Sequence, residues 1–219
     1  MKIKWLGHAC FLITSEKNIK IITDPYTSNE AIKYREINES ADIVLVSHDH
    51  GDHSNTAAIK GKPVIIKTSG TSEAKGIKFK GIPVYHDDAG GSKRGKNVIF
   101  VFELDGIRLC HLGDLGHSLS NKEITEIGKV DIAFVPVGGF YTMECEVTNE
   151  VVSKLSPKMT IPMHFLTPQV DAAKFGAICG VENFLKGKKG VQQLNAAEIE
   201  FKADKLPVSA QITVLKPAL

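Results

Sequence analysis

The sequence predicts a single α/β or α+β sandwich domain. Its 219 residues suit one large domain better than two, and a 42% share of hydrophobic residues is enough for a substantial core. Short apolar runs, bounded by Gly, Pro, Asp or Asn, are interspersed with a few short helical patterns. We therefore expect residues 1–219 to fold as one unit of strands and helices.

The first part of the chain is predicted to be mostly β-structure. The continuous apolar run at 43–46 indicates a strand buried on both faces, and Asp24 with its following proline ends an earlier strand. A short helix is expected at Asn55–Ile59 and a helical turn at 69–73. The predicted strands are Lys2–Trp5, Ala9–Thr14, Ile19–Thr23, Ile43–Val46 and Pro63–Lys67.

In the rest of the chain the clearest local signal is a hairpin at Asp105-Gly106, because a type I′ turn needs positive φ at both central residues. The predicted strands are 77–79, 82–85, 98–104, 107–112, 131–135, 159–163, 191–194, 199–201 and 209–215. The predicted helices are 122–127, 148–155, 170–178 and 181–185. We expect the helix at 148–155 to be capped near Thr148.

Composition argues against several classes of protein. A formal charge of +2 is too small to indicate a nucleic-acid or anionic-membrane partner, and no apolar run approaches the roughly 20 residues of a membrane span. The four cysteines are far apart, so neither a disulfide framework nor a thiolate zinc site is expected. The first residues lead straight into a strand rather than a signal peptide, so we expect a cytoplasmic protein.

Residues 47–53 contain three histidines and two aspartates directly after a predicted buried strand. His48 and His50 stand two apart, so an extended backbone places both side chains on one face. Asp52 and His53 follow a glycine, which allows the chain to turn and present further ligands. Imidazole nitrogen and carboxylate oxygen suit zinc and other first-row divalent metals. The alternative, a polar surface loop, does not explain this concentration of ionisable groups.

Three later residues, His86, Asp114 and His164, each follow a predicted strand. Loops at strand ends can assemble a site along one edge of a scaffold. The candidate metal ligands are then His48, His50, Asp52, His53, His86, Asp114 and His164. Seven is too many for one tetrahedral zinc, but suits two metals that share a bridging carboxylate and a bridging water.

This ordered set of ligands resembles the metallo-β-lactamase superfamily, and the resemblance covers nearly the whole chain. Further segments are similar to its branch of zinc-dependent hydrolases related to ascorbate-6-phosphate lactonase. Those segments are Lys4–His8, Thr23–Pro25, Gly113-Asp114, Pro136–Gly139 and Thr142-Met143.

The resemblance implies a four-layer αββα sandwich of two mixed β-sheets, with two divalent metals in a cleft along one edge. Zinc is the first expectation, with manganese and iron as alternatives. One metal is assigned to His48, His50 and His86, the second to Asp52, His53 and His164, with Asp114 between them. We expect a hydroxide shared by the metals to be the nucleophile, and Asp52 to orient it and carry its proton.

Four other residues have two interpretations each. His117 is expected to be catalytic, as a proton donor to the leaving group or a substrate contact, and the alternative is an exposed polar histidine. His8 and His111 are expected to support a ligand, or in the case of His8 to touch substrate; a core histidine is the alternative for His111. Asp24 is either a partner of a metal-bound histidine or a turn residue before proline.

Lys93 and Arg94 lie in the glycine-rich loop that follows His86. They are interpreted either as binders of an anionic substrate group or as part of a solvated, charged loop. Tyr141 and Thr142 are candidates for the pocket floor.

The predicted function is hydrolysis of a small ester, lactone or phosphorylated metabolite, without a nucleic-acid or membrane partner. A nuclease or phosphodiesterase of the same superfamily is one alternative, but nearly balanced charge and short length argue against it. A non-hydrolytic di-iron redox protein is the other alternative, since the ligand set permits iron. The sequence leaves the substrate, the native metal and the oligomeric state open.

Overall fold

The computed structural model describes all 219 residues and contains two mixed β-sheets. The first sheet has the strand order β13-β1-β2-β3-β4-β5. Its strands are β1 (Lys2–Gly7), β2 (Cys10–Thr14), β3 (Lys20–Thr23), β4 (Ile43–Leu45), β5 (Val64–Ile66) and β13 (Glu198–Glu200). The strands from β3 to β5 are parallel neighbours, whereas β1, β2 and β13 pair antiparallel.

The second sheet has eight strands in the order β12-β14-β11-β10-β9-β8-β7-β6. Its strands are β6 (Gly70–Ala74), β7 (Ile77–Tyr85), β8 (Lys96–Leu104), β9 (Ile107–His111), β10 (Ile132–Pro136), β11 (Met159–Met163), β12 (Val191–Gln193) and β14 (Gln211–Val214). The half from β6 to β9 is antiparallel, and the half from β9 to β12 is parallel.

Four short helices complete the fold. They are α1 (Asn121–Ile127), α2 (Cys145–Leu155), α3 (Ala172–Phe175) and α4 (Val181–Leu185). A capping box starts α1: the Ser120 hydroxyl accepts from the Glu123 amide at 3.3 Å, and the Glu123 carboxylate accepts from the Ser120 amide at 2.7 Å. None of the helices has the length and apolar character needed to span a membrane.

The main core lies between the two sheets and contains 46 buried residues, while a second cluster of 13 covers the far face of the first sheet. In β4, Ile43 and Leu45 face the main core and Val44 faces the second cluster, which confirms a strand buried on both faces. The fold class predicted from the sequence is therefore confirmed. The cover over the first sheet is largely irregular chain, with Tyr26 and Tyr34 fully buried in it.

The hairpin predicted at residues 105–106 is confirmed, with φ of +51° at Asp105 and +73° at Gly106. Residues 69–73 were expected to form a helical turn, and this was wrong: β6 occupies 70–74 and pairs antiparallel with β7. The separate strands expected at 77–79 and 82–85 are one continuous strand, because Lys80 and Gly81 also pair with β8. Pairing with a neighbour outweighs local preference in both cases.

Two helix predictions need correction. The helix expected to be capped near Thr148 starts at Cys145, and the Thr148 amide already donates to the Glu144 carbonyl at 2.9 Å inside the first turn. The helix expected at 170–178 is limited to α3, because Val170 forms a bridge with Ile32 and its neighbours extend to cover the first sheet. The short helix expected near residue 56 is a single 3₁₀ turn at Thr56–Ala58.

Candidate metal centre

Topology brings the candidate ligands to one edge of the sandwich. In the first sheet β1, β3 and β4 run in the same direction, since β2 is antiparallel to β1 and β3, and β4 is parallel to β3. In the second sheet β7, β9 and β11 likewise share a direction. The segments that leave the carboxyl ends of these strands carry His8, Asp24, 47–53, His86, Asp114 and His164.

The ligand atoms fall into two groups at this edge. We call His48, His50 and His86 the outer donor group, and His8, Asp52, His53 and His164 the inner donor group. Within each group the ligand atoms lie within 4.8 Å of one another. His50 is exposed, while the histidines of the inner group are buried. The structure thus brings together every residue that the sequence predicted as a metal ligand, and adds His8 beside Asp52.

Asp114 lies between the two groups. Its Oδ2 atom is 3.1 to 3.2 Å from the Nε2 atoms of His164, His53 and His86, and 3.9 Å from that of His48. The carboxylate is buried and contacts members of both groups at once. A buried carboxylate in this position can offer a ligand atom to a cation held by either group.

The donor set fits divalent metal ions. Buried polar atoms normally have a hydrogen-bond partner, and nine buried side-chain atoms of this chain have none. Three of these nine are Nε2 of His48, Nε2 of His53 and Oδ1 of Asp114. The Nδ1 atoms of both histidines are already held by Ser47 or Asp24, so Nε2 is the nitrogen left for a metal. Imidazole and carboxylate atoms of this kind are the ligands that zinc, manganese and iron accept.

Asp24 supports one histidine in each group. Its buried carboxylate accepts hydrogen bonds from the Ser47 amide at 2.7 Å and the Ser47 hydroxyl at 2.6 Å, and contacts Nδ1 of His53 at 3.0 Å. The Ser47 hydroxyl also lies 2.9 Å from Nδ1 of His48. Since Ser47 donates to Asp24, its oxygen accepts from His48. Both histidines therefore carry a proton on Nδ1 and turn Nε2 toward the cluster.

The segment that leads to Asp114 is held equally firmly. Gly113 has a φ of +55°, and a Cβ there would collide with Ser47 and Asn97, so only glycine fits. The buried Asn97 side chain donates to the Leu112 carbonyl at 2.8 Å and accepts from the Asp114 amide at 3.1 Å. These contacts fix the backbone that presents the Asp114 carboxylate.

The histidines of the site differ in the direction in which their surroundings shift the pKa. Burial, together with the neighbouring His53, lowers the pKa of His48 to about 3, and burial with His164 lowers the pKa of His8 to about 4. Both are therefore neutral at pH 7, with a lone pair available. Burial alone would lower the pKa of His53, but the carboxylates of Asp114 and Asp52 outweigh burial and raise it well above its usual range.

The structure gives backbone roles to two histidines that the sequence associated with the site. His111 donates from Nε2 to the Ala9 carbonyl at 3.0 Å and accepts from the Gly113 amide at 3.2 Å, so it supports the segment before Asp114. His117 accepts from the Tyr85 amide at 3.1 Å and donates from Nδ1 to the Ser118 carbonyl at 2.8 Å. Both nitrogens of His117 thus have backbone partners, and a catalytic role for His117 stays a prediction.

Two cavities open beside the donor groups. One of about 400 Å³ is lined by Asp52, Asp114 and residues of both groups, and also by Arg94 and Tyr141. A larger one of about 750 Å³ lies next to it, and His50 and Arg94 line both. Thr142, expected at the pocket floor, is buried and lines neither cavity.

Sequence reasoning missed three residues that organise this edge, namely Ser47, Asp87 and Asn97. The position of Ser47 directly before the histidine cluster gives no sign of its bond to Asp24. Asp87 directly follows His86 and opens a glycine-rich loop, which is a recognisable turn signal. Asn97 is fully buried near the start of β8, but in the sequence it ends a polar loop, so no local pattern identifies it.

Comparison with known proteins identifies the family. Residues 2–164 match the family model described as the Beta-lactamase superfamily domain. The chain belongs to the β-lactamase superfamily. A protein named UPF0173 metal-dependent hydrolase from Carboxydothermus hydrogenoformans is 35% identical, over 80% of this chain and 89% of that protein. Another from Thermoplasma acidophilum is 31% identical, over 82% of this chain and 91% of its own length.

A solved structure agrees with this membership. A protein from Thermotoga maritima, assigned to the Zn-dependent hydrolases of the metallo-β-lactamase superfamily, superposes with a TM-score of 0.80 at 35% identity. The match covers 98% of this chain and 97% of the other. The chain is therefore a metal-dependent hydrolase of the β-lactamase fold, as the sequence predicted. The narrower relation to ascorbate-6-phosphate lactonase stays a prediction.

Proposed function

We propose that this β-lactamase-fold hydrolase uses two divalent metal ions to cleave a small ester, lactone or phosphorylated metabolite. The observation that carries the proposal is the position of Asp114. Its Oδ2 atom lies within 3.2 Å of His86 from the outer donor group and of His53 and His164 from the inner donor group. A site for a single ion would not need a buried carboxylate between two complete sets of donors.

Each donor group would hold one ion. His48, His50 and His86 supply three imidazoles for the first, and Asp52, His53 and His164 supply a carboxylate and two imidazoles for the second, with Asp114 shared. When bound, a pair of divalent cations supplies a water of lowered pKa and polarises the carbonyl or phosphoryl oxygen of a substrate. Zinc is the first candidate, and manganese and iron accept the same ligands.

Asp52 is the residue best placed to handle the proton of the attacking water. Its side chain is 23% exposed and lines the smaller cavity, whereas Asp114 and Asp24 are buried. Its Oδ2 lies 3.2 Å from Nε2 of His8, which orients the carboxylate. Burial alone would raise the pKa of Asp52, but His53 and His8 outweigh burial and lower it, so the carboxylate is ionised at neutral pH. An ionised carboxylate can orient water and accept its proton.

The dimensions of the site favour a small substrate. The cavity that faces both donor groups has a volume of about 400 Å³, which suits a metabolite-sized molecule. The bond to be cleaved in the substrate would lie against Asp52 and Asp114, in the segments that follow β4 and β9.

The test begins with protein stripped of metal and reloaded separately with zinc, manganese or iron. We expect elemental analysis to find two ions per chain, and hydrolysis of at least one member of a panel of lactones, esters and phosphodiesters. Asp114→Asn should bind fewer than two ions per chain and lose most of the activity. Asp49→Asn is the matched control, because Asp49 is 81% exposed and pairs only with Lys67. Fully loaded protein that hydrolyses no member of the panel would overturn the proposal.

A further inference from the structure

We propose that Arg94 binds an oxyanion group of the substrate, and that the substrate is a small polar molecule carrying a phosphate or a carboxylate. This inference rests on the hydrolase function proposed above and narrows its substrate class. It follows from the way the loop after His86 is built, from the contacts of the Arg94 side chain, and from the two cavities that it borders.

The loop is organised around one buried carboxylate, Asp87, which is 3% exposed. Its Oδ1 accepts from the amides of Ala89 and Gly91, both at 2.8 Å. Its Oδ2 accepts from the amides of Lys93 at 3.0 Å and Arg94 at 2.7 Å. Four backbone donors on one carboxylate hold the loop in a single conformation. The backbone of Arg94 is therefore fixed before any ligand arrives.

The Arg94 side chain is aimed at the site and is available to a ligand. Its guanidinium lies over the ring of Tyr141, with Cζ 5.1 Å from the ring centre. It makes no ion pair with any carboxylate of the chain. The two lysines that line the same cavity differ in this respect: Lys93 pairs with Asp88 at 2.8 Å, and Lys174 pairs with Glu30 at 2.5 Å.

Arg94 lies between the cavity that contains the candidate catalytic residues and the cavity next to it. It lines both the 400 Å³ cavity that contains Asp52 and Asp114 and the neighbouring 750 Å³ cavity, and His50 is the only other residue common to both. An anion held by Arg94 would therefore lie beside the outer donor group. A guanidinium binds phosphate or carboxylate through two parallel hydrogen bonds, which also orients the ligand.

The larger cavity indicates a polar body for the substrate. Three of its fifteen lining residues are hydrophobic, and the others include Lys67, Thr68, Ser69 and Lys96. Its volume of about 750 Å³ lies within the range of small-molecule sites. A long apolar acyl chain would leave these polar walls without partners. A hydroxylated metabolite with one anionic group matches both the walls and the arginine.

The test uses the zinc-loaded protein and two probes, inorganic phosphate and malonate, titrated by calorimetry. In Arg94→Ala we expect the binding of at least one probe to weaken on the order of 10- to 100-fold, the loss typical of a hydrogen-bonded charge pair. Arg94→Lys should recover only part of this, because a lysine cannot form the two parallel bonds. Lys93→Ala is the matched control and should change either affinity by less than about threefold.

The outcomes distinguish a phosphate from a carboxylate substrate. They also distinguish a failure of the role of Arg94 from a failure of the proposed hydrolase site. Weaker binding of phosphate assigns a phosphate substrate, and weaker binding of malonate alone assigns a carboxylate; either result supports the role of Arg94. Unchanged affinity for both probes in Arg94→Ala, or no binding to the unmodified protein, would overturn it. Zinc content is measured in every variant. A failure to hold two ions therefore counts against the proposed hydrolase site, not against Arg94.

Discussion

The outer and inner donor groups use similar side chains in different surroundings. The outer group consists of three imidazoles, and its His50 is exposed and lines both cavities. The inner group includes the Asp52 carboxylate, and its His53 contacts the carboxylate of Asp24. A cation in the inner group would therefore face more negative charge and less water than one in the outer group. We infer that the inner group holds its metal more tightly than the outer group does.

Loss of the shared carboxylate should have the largest effect, because it breaks the connection between the groups. In Asp114→Asn we expect kcat/KM to fall on the order of 10³-fold, since the Lewis acidity of a bound metal contributes several kcal/mol. Elemental analysis of the same sample should show fewer than two ions per chain. Full activity with two ions bound would contradict the bridging position of Asp114.

Substitution of Asp52 tests the contribution of its negative charge to catalysis and to metal binding in the inner group. Asp52→Asn should lower kcat on the order of 100-fold or more, because a positioned general base contributes at least that much, and should weaken metal binding in the inner group. Asp49 differs from it by belonging to neither donor group, and its side chain is 81% exposed. Asp49→Asn should therefore do much less in steady-state kinetics. Equal losses in the two variants would contradict this division of roles.

Substitution of Asp24 tests the hydrogen bonds that hold one histidine in each group. It contacts His53 directly and His48 through Ser47. Asp24→Asn should weaken metal affinity roughly 10- to 100-fold, the range seen when a partner of a metal-bound histidine is removed. Ser47→Ala should have a smaller effect and weaken mainly the outer ion. Competition with a chromogenic chelator measures both affinities, and an unchanged affinity in Asp24→Asn would count against the network.

The difference in metal affinity between the two groups is expected to be the smallest of these effects. A chelator titration of the zinc-loaded protein should remove one ion before the other, with affinities that differ by at least about tenfold, the lower end of what a supporting partner contributes. His50→Ala should abolish the weaker phase and leave the tighter one. Loss of the tighter phase in His50→Ala would reverse the ranking.

Much of this site could be predicted from the sequence because ligand chemistry is local. The candidate ligands His48, His50, Asp52 and His53 are close together in the chain, and each later candidate follows a strand. Strand ends meet at one edge in this topology, so the position of the ligands follows from the order of the strands. The buried β4 and the type I′ hairpin were predictable for the same reason, since each depends on a few consecutive residues.

The rest depends on contacts between distant segments. The bond from Ser47 to Asp24 and the bond from Asn97 to Asp114 join residues 23 and 17 positions apart. The strand at 70–74 forms only because β7 offers it a partner. Nothing in the sequence indicates that the ring of His117 accepts a hydrogen bond from the Tyr85 amide, 32 positions away. Such pairings are set by packing rather than by local pattern.

Anomalous diffraction at the zinc edge, from crystals of the zinc-loaded protein, tests the central claim most directly. We expect two peaks per chain. One should be bounded by His48, His50 and His86, the other by Asp52, His53 and His164, and the Asp114 carboxylate should lie between them. A single peak, or a second peak away from these two donor groups, would contradict the account.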